Sequence, residues 1–374
     1  MMQPDGEVPV VQAAREARAF NFCSGPAMLP EPVLQQIQSE FLNYRGLGAS
    51  VMELSHRSDT LVGLFEEAEH RLRHLLSISS DYAVLFLQGG ATLQFSAVPL
   101  NLMKVSGQAD YLLTGVWSEK AANEAKRFGE VSIVASDAEA GYRNVPALET
   151  WRCNPNADYL HVTPNETIHG VEFTFLPDTT VPVVADMSST ILSRPLDVSR
   201  FGLIYAGAQK NVGPVGLTLV IVRRDLLKAP ELSLPSLLRY DLQAQQASMV
   251  NTPPTFSVYA ANLVFQWIEA QGGVEAMGRQ NQGKAQKLYA FLDNNDFYHN
   301  PVAVNARSWM NIPFVLAEER LNQTFLREAE AARLLNLKGH RSVGGMRASL
   351  YNAMPEAGVD ALIDFLQDFS QRRA

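Results

Sequence analysis

Apolar positions along this chain follow two spacings in turn, one typical of amphipathic helices and one typical of buried strands. Residues 61–76 carry leucines at helical spacing with charged residues between them, which predicts a helix capped by Asp59 and Thr60. Residues 82–87 form a short apolar run, which predicts a buried strand. The same patterns predict helices at 91–102 and 118–128 and strands at 109–113, 131–135 and 181–186. This alternation predicts an α/β fold with a mostly parallel central sheet flanked by helices.

The pattern changes after Pro254, where long helices replace the alternation. Helices are predicted at 259–269, 274–294 and 358–371, with short strands at 309–315 and 343–349. These elements are typical of a smaller C-terminal α+β domain. We therefore expect a large domain at 20–272, with an N-terminal arm near 20–35, and a small domain at 273–374. Residues 1–19 are expected to form a flexible N-terminal extension.

Composition narrows the class of protein. The chain has 374 residues, of which 47% are hydrophobic and 19% charged, as in ordinary globular proteins. Its net charge of -8 argues against nucleic acid or an anionic membrane as the main partner, although a local basic pocket for a small anion stays compatible. Cys23 and Cys153, the two cysteines, form neither a disulfide framework nor a metal-ligand motif. With no apolar run of about 18 residues and no signal-peptide core, these features predict a cytoplasmic protein.

Lys210 lies in a turn of small residues between two apolar runs, at 201–205 and 216–222. Both runs predict buried strands, so the turn would hold the lysine close to the core. Burial favours the neutral amine, which is the form that attacks carbonyls and makes Schiff bases. A turn lysine is more often solvated, so this hypothesis depends on the residues around it.

Two further features suit the same chemistry. Gly89 and Gly90 join the strand predicted at 82–87 to a helix, and free amides at a helix start attract phosphate, although such a turn is as often structural. Asp186 ends another predicted strand, where ligands bind in open α/β sheets, although it could equally cap the next turn. A lysine, a carboxylate and a phosphate site together suit pyridoxal phosphate (PLP), whose pyridine nitrogen the acid would keep protonated.

Five segments closely resemble the phosphoserine aminotransferases, namely 21–30, 165–167, 186–195, 205–214 and 344–349. The resemblance runs from about Asn21 to the C-terminus. It implies a PLP enzyme of fold type I that reversibly transfers the amino group of L-glutamate to 3-phosphohydroxypyruvate in serine biosynthesis. The products would be O-phospho-L-serine and 2-oxoglutarate, and a role in pyridoxine biosynthesis stays open. It also implies a homodimer with one PLP per subunit and active sites shared across the interface.

The resemblance implies a role for individual residues around the cofactor. Lys210 would form the Schiff base with PLP and carry the substrate Cα proton, while Asp186 would pair with the pyridinium nitrogen. Trp117 would stack on the ring and Thr167 would hydrogen-bond its hydroxyl, although a core tryptophan and a turn threonine are the default interpretations. The phosphate would be held by Ala91, Thr92 and Gln209, and by Asn251 and Thr252 of the partner subunit.

The same resemblance implies a substrate site for two anions. Arg347 would clamp the α-carboxylate with its bidentate fork. Two His-Arg pairs, which are more often solvated surface pairs, would bind the substrate phosphate or the side-chain carboxylate of glutamate; they are His56 with Arg57 and His340 with Arg341. Some relatives have an arginine where this chain has Thr92, and that arginine helps to hold the phosphate. In this chain, binding of the substrate phosphate would depend on the two His-Arg pairs.

Two alternatives stay open. The first is another PLP enzyme of fold type I, such as a small-amino-acid:glyoxylate aminotransferase or a cysteine desulfurase. The His-Arg pairs argue against a small-amino-acid substrate, which needs no second cationic cluster, and nothing in the sequence around Cys153 indicates an activated thiol. The second is a non-catalytic protein that binds a phosphorylated ligand. That hypothesis leaves the pairing of Asp186 with Lys210 unexplained.

Overall fold

The structure is a computed structural model that describes residues 18–103, 107–229 and 233–373. Residues 1–17 of the predicted extension lie outside the described residues. The α-helices are α1 (Glu31–Glu40), α2 (Asp59–Leu76), α3 (Gly90–Leu102), α4 (Val116–Ala125), α5 (Tyr240–Gln245), α6 (Thr255–Ala270), α7 (Gly273–Asp293), α8 (Asn322–Ala331) and α9 (Glu356–Gln371). Of the helices in the described ranges, none has the length and apolar character that crossing a membrane requires.

The strands fall into one large sheet and several small ones. They are β1 (Phe20–Asn21), β2 (Tyr82–Leu87), β3 (Gln108–Leu113), β4 (Glu130–Ser136), β5 (Tyr159–Val162), β6 (Asn165–Glu166), β7 (Val171–Glu172), β8 (Val183–Asp186), β9 (Leu203–Gly207), β10 (Thr218–Arg223), β11 (Tyr298–His299), β12 (Asn311–Leu316), β13 (Leu334–Leu335) and β14 (Met346–Ser349).

The central sheet has the strand order β2-β10-β9-β8-β5-β3-β4. Neighbouring strands are parallel except that β10 runs antiparallel to both β2 and β9. The predicted α/β fold with a mostly parallel sheet is therefore confirmed. Because six of the seven strands run the same way, their carboxyl ends meet along one edge of the sheet.

Alternating side chains of the strands explain why helices cover both faces of this sheet. In β2, Val84 and Phe86 pack into one core with helices α2 and α6, whereas Leu85 and Leu87 pack into another with α3 and α4. A strand buried on both faces is apolar throughout, which is why residues 82–87 appear as a continuous apolar run. The result is three layers, with helices on either side of the sheet.

The start of helix α2 differs from the sequence prediction. The residue that caps it is Ser58, whose hydroxyl oxygen accepts a hydrogen bond from the N–H of Leu61 at 3.4 Å. The prediction that Asp59 and Thr60 cap the helix was therefore wrong. Both residues lie within the first turn, where the negative charge of Asp59 still favours the helix start.

The C-terminal part has its own antiparallel sheet, in the order β11-β12-β14, and its own apolar core. Strand β14 is shorter than the predicted strand at 343–349, because Gly344 and Gly345 adopt φ angles of 70° and 60° and form a turn. The N-terminal strand β1 pairs with β13, and Phe22 packs into the C-terminal core. Helix α7 contributes to both cores, so the boundary at 272/273 stays a prediction.

Candidate active site

The carboxyl edge of the central sheet surrounds a cavity of about 110 Å³. Strands β5, β8 and β9 and the starts of helices α3 and α4 all lead to it. It is lined by Gly90, Ala91, Thr92, Trp117, Thr163, Asn165, Thr167, Asp186, Ser188, Ser189, Gln209 and Lys210. The parallel strands thus bring together seven residues that are far apart in the sequence but were predicted to share one site.

Lys210 is half-buried in the turn that follows β9. Its side-chain amine donates a hydrogen bond to the hydroxyl oxygen of Thr167 at 2.6 Å. Burial lowers the pKa of Lys210, the negative charges of Asp186 and Glu166 oppose this shift, and the positive charge of Arg347 adds to it, so that the pKa is about 8. Burial therefore makes the neutral, nucleophilic amine accessible close to neutral pH.

Asp186 is the last residue of β8 and is buried. Its Oδ1 accepts hydrogen bonds from the N–H of Ser188 at 3.0 Å and from the Ser188 hydroxyl at 2.6 Å. Ser188 Oγ in turn accepts the N–H of Gly207 at 3.0 Å, which ties the carboxylate to the strand that leads to Lys210. Burial raises the pKa of Asp186, while the Ser188 hydrogen bonds and the charge of Lys210 lower it.

Helix α3 begins at the edge of the cavity without a side-chain cap. Gly89 and Gly90 have φ angles of 92° and 67°, a conformation that favours glycine. The first amides of a helix have no partner within the helix, so those of Gly90, Ala91 and Thr92 are free to bind an anion. The turn therefore fits a phosphate group.

Trp117, the second residue of α4, places its half-buried indole at the cavity. Its Nε1 is buried and has no hydrogen-bond partner among the residues that the structure describes. The amine of Lys120 lies 4.6 Å from the centre of its ring system. A flat aromatic side chain in this place fits stacking on a planar ligand.

Arg347 reaches the same region from β14 of the C-terminal part and is buried. Its Nη1 donates to the carbonyl oxygen of Thr167 at 3.2 Å, and its Nη2 donates to the hydroxyl of Ser24 at 2.7 Å. Thr167 therefore contacts both Lys210 and Arg347, one through its hydroxyl and one through its carbonyl. Burial lowers the pKa of Arg347, but arginine keeps its charge and can bind a carboxylate.

Several contributors to the site were not predicted as site residues, among them Thr163, Asn165, Ser188 and Ser189, which line the cavity, and Glu166 and Ser24 beside it. Glu166, next to Thr167, is fully buried and accepts hydrogen bonds from the backbone at the start of α4. Ser24 orients Arg347, as described above. Both lie in segments that carry the family resemblance, which was the one signal in the sequence that could have indicated them.

The remaining predicted residues are not gathered around this cavity within one chain. In the described part of the chain, no side-chain hydrogen bond joins His56 or Arg57 to a residue that lines it. Asn251 and Thr252 are exposed, and the carbonyl of Thr252 accepts a hydrogen bond from Gln88 Nε2 at 3.1 Å. These two lie beside the Gly-Gly turn rather than in the cavity.

The second His-Arg pair lies on the Arg347 side of the site. His340 is half-buried in the turn before β14, and Arg341 is exposed. Burial lowers the pKa of His340, and so do the positive charges of Arg347, Arg341 and Lys120. Several cationic groups therefore lie near one another at this side of the cavity.

The arrangement can be tested against PLP group by group. The amine of Lys210 can react with the aldehyde of PLP, and the carboxylate of Asp186 can pair with its pyridine nitrogen. The indole of Trp117 offers a flat face on which the ring can stack. The start of α3 offers free amides for the phosphate. The residues present therefore fit this cofactor.

Comparisons with known proteins agree with that fit. Residues 19–362 match the family model "Aminotransferase class-V". The chain is 59% identical to the phosphoserine aminotransferase of Hahella chejuensis, over 96% of this chain and 99% of the relative. Among solved structures, that of phosphoserine aminotransferase from Bacillus circulans subsp. alkalophilus matches with a TM-score of 0.94 at 46% identity, covering 96% of this chain and 99% of the other. The PLP-bound phosphoserine aminotransferase from Trichomonas vaginalis matches with a TM-score of 0.89 at 41% identity, covering 94% of this chain and 100% of the other.

Proposed function

The chain belongs to the class-V aminotransferase family, and from that premise we propose that it is a PLP-dependent phosphoserine transaminase. It transfers the amino group of L-glutamate reversibly to 3-phosphohydroxypyruvate, which gives O-phospho-L-serine and 2-oxoglutarate for serine biosynthesis. The observation that carries this proposal is the placement of Lys210 and Asp186 at adjacent strand ends around one cavity.

When bound, PLP supplies a protonated pyridine ring that accepts the electron pair released as the substrate Cα–H bond breaks. The carboxylate of Asp186 would hold the ring nitrogen and keep it protonated. Ser188 holds the carboxylate in place through its two hydrogen bonds to Oδ1. The amine of Lys210 would act as general base toward the substrate Cα proton and would then return that proton as general acid.

Other residues of the chain bind and orient. Trp117 would stack on the ring, and the hydroxyl of Thr167 would hydrogen-bond the ring hydroxyl as well as Lys210. The amides of Ala91 and Thr92, together with Gln209, would hold the phosphate. These assignments are supported by the positions of all five residues around the cavity.

Arg347 binds the α-carboxylate, which glutamate and phosphoserine share. The second anion differs between them, a carboxylate in one and a phosphate in the other. We assign it to His340 and Arg341 together with His56 and Arg57. A site with mixed arginine and histidine donors can bind either anion.

We also propose a homodimer, in which Asn251 and Thr252 of each chain reach the phosphate site of the partner subunit. Support comes from their exposed position beside the Gly-Gly turn. An exposed apolar surface in the segment before His56 is typical of a subunit interface; it comprises Phe41, Leu42, Leu47 and Met52. The two cysteines are free thiols, which suits a reducing compartment such as the cytoplasm.

The alternatives are less favoured. A glyoxylate-using enzyme for small amino acids would leave the cationic groups near His340 without a ligand. Burial raises the pKa of the Cys153 thiol, the opposite of what a desulfurase nucleophile needs. A protein that only binds a phosphorylated ligand would not need a lysine of lowered pKa beside Asp186.

The test is steady-state transamination of phosphoserine with 2-oxoglutarate, compared with unphosphorylated serine as donor. We expect phosphoserine to be strongly preferred and Lys210→Ala to abolish the activity. Borohydride reduction of the yellow holoenzyme followed by mass spectrometry should attach PLP to Lys210. A protein that is colourless with PLP, or that uses serine as well as phosphoserine, would contradict the proposal.

A further inference from the structure

Glu166 is a buried carboxylate to which none of the steps above assigns a role. Its side chain has no exposed surface. Oε1 accepts hydrogen bonds from the N–H of Ser118 at 2.8 Å and from the Ser118 hydroxyl at 2.7 Å, and Oε2 accepts the N–H of Trp117 at 3.1 Å. The carboxylate therefore binds two of the free amides with which helix α4 begins.

The surroundings of Ser118 favour the ionised form of this carboxylate. The backbone N–H groups of Thr114 and Gly115 donate to Ser118 Oγ at 2.9 and 3.0 Å, so both of its lone pairs are used. The hydroxyl group of Ser118 therefore has only its proton left to contribute. Two acceptors lie within reach of that proton, Glu166 Oε1 at 2.7 Å and the carbonyl oxygen of Gly115 at 2.8 Å. Glu166 thus meets three donors, which an ionised carboxylate can satisfy and an amide cannot.

The chain leaves room for this contact at one position. A Cβ atom on Gly115 would lie 2.4 Å from the carboxyl carbon of Glu166, so any larger residue there would displace the carboxylate. Gly115 directly precedes α4, and its lack of a side chain lets the carboxylate reach the helix start. The contact between Glu166 and the start of α4 therefore requires glycine at position 115.

The backbone N–H of Trp117 is one of the groups through which Glu166 contacts the start of α4. Its indole N–H has no hydrogen-bond partner in the described ranges, so its backbone and packing alone orient the ring. We propose that Glu166 is a positioning residue, which fixes the backbone of Trp117 and thereby holds the indole against the PLP ring. This inference rests on the proposed PLP chemistry.

Glu166 changes between its protonated and ionised forms close to neutral pH. Burial raises its pKa, the hydrogen bonds from Ser118 and Trp117 oppose this shift, and the negative charge of Asp186 adds to it, so that the pKa is about 7. The other titratable groups that interact with it are Lys210, on the turn after β9, and Tyr142, whose hydroxyl binds Glu119 of α4. Protonation would replace an acceptor by a donor and loosen the start of α4 as pH falls through about 7.

Glu166→Gln tests the proposal, since glutamine keeps the shape but turns an NH2 group toward one of the two backbone amides. We expect the Kd of the apoprotein for PLP, measured by absorbance titration, to rise about tenfold. The visible circular dichroism of the bound cofactor should also weaken. Glu124→Gln, on the same helix but paired with Ser96, should change neither.

A double-mutant cycle separates positioning from a general structural role. In a Trp117→Ala background, Glu166→Gln should change the Kd by less than about twofold, because the ring that Glu166 positions is gone. An equal loss in both backgrounds, or a wild-type Kd in Glu166→Gln alone, would overturn the inference. If Glu166→Gln does not fold, Ser118→Ala removes one donor and should give an intermediate loss. A wild-type protein that binds no PLP would instead refute the proposed function.

Discussion

The amine of Lys210 and the hydroxyl of Thr167 lie 2.6 Å apart, although 43 residues separate them in the sequence. This contact orients the amine within the cavity. Thr167→Val keeps the shape of the side chain and removes the hydroxyl, so we expect kcat to fall about tenfold. Steady-state kinetics with phosphoserine measure this change in kcat. Thr150→Val, at an exposed position, is the control. An unchanged kcat would show that the contact does not matter in turnover.

Lys210 should titrate well below the exposed lysines in the cofactor-free protein. Because burial lowers its pKa to about 8, its neutral fraction rises as pH increases through 8, whereas exposed lysines become neutral near pH ~10.4. Acylation at a series of pH values, followed by mass spectrometry of the Lys210 peptide, gives the midpoint. Asp186→Asn should lower this midpoint, because the charge of Asp186 raises the pKa. A midpoint near 10 would contradict the buried setting.

Arg347→Lys should affect both substrates, because both carry an α-carboxylate. The lysine keeps the charge but loses the bidentate fork and the hydrogen bonds to Thr167 and Ser24. We expect kcat/KM to fall by roughly 10- to 100-fold for glutamate and phosphoserine alike. If Arg347→Lys lowered kcat/KM for only one of the two substrates, Arg347 would instead bind the second anion.

Arg341→Ala should impair phosphoserine turnover while leaving cofactor absorbance almost unchanged.

Shared active sites can be tested by mixing two inactive variants. One carries Lys210→Ala, and the other carries Asn251→Ala with Thr252→Ala. In a hybrid dimer one site regains an intact Lys210 and an intact Asn251 from the partner, so a random mixture should recover about a quarter of wild-type activity. Refolding the two variants together and assaying transamination measures this. If each chain used its own Asn251, mixing would restore nothing.

Lys284 should give the stability of the protein a pH dependence. Its buried amine donates to the carbonyls of Tyr351 and Met354 at 3.0 and 2.9 Å, and burial lowers its pKa to about 7. Between pH 7 and the ordinary value near ~10.4, the folded protein binds fewer protons at this site than the unfolded chain, so its contribution to stability rises with pH. The contribution should change by about 1.4 kcal/mol per pH unit across that window.

The measurement is the difference in unfolding free energy between wild type and Lys284→Met, taken from pH 6 to 10. The difference should grow in favour of the wild type above pH 7 and stay flat below it. Lys126→Met, at an exposed position, is the control. A difference that does not vary with pH would mean that Lys284 is not desolvated.

The sequence predicted the elements with a clear apolar pattern and missed others, among them helices α1 and α8. Strand β5 was missed, because it has four residues and His161 interrupts its apolar run. The direction of β10 was also not predicted, since a hydrophobic pattern identifies a buried strand but not its partners. Residues at strand ends, such as Asp186 and Lys210, could be placed because parallel strands share one edge. The contact of Glu166 with Trp117 joins segments 49 residues apart, and periodicity carries no signal for it.

The N-terminal segment joins the two parts of the molecule at the substrate site. The N–H of Phe22 donates to Leu335 in the C-terminal part, whereas the N–H of Ala27 donates to the carbonyl of Gln209, beside Lys210. Any rotation of the C-terminal part relative to the central sheet must therefore bend the chain between residues 22 and 27. Ser24, the hydrogen-bond partner of Arg347, lies within that interval. A change of backbone conformation there would move Ser24 and with it the hydrogen bond that orients Arg347.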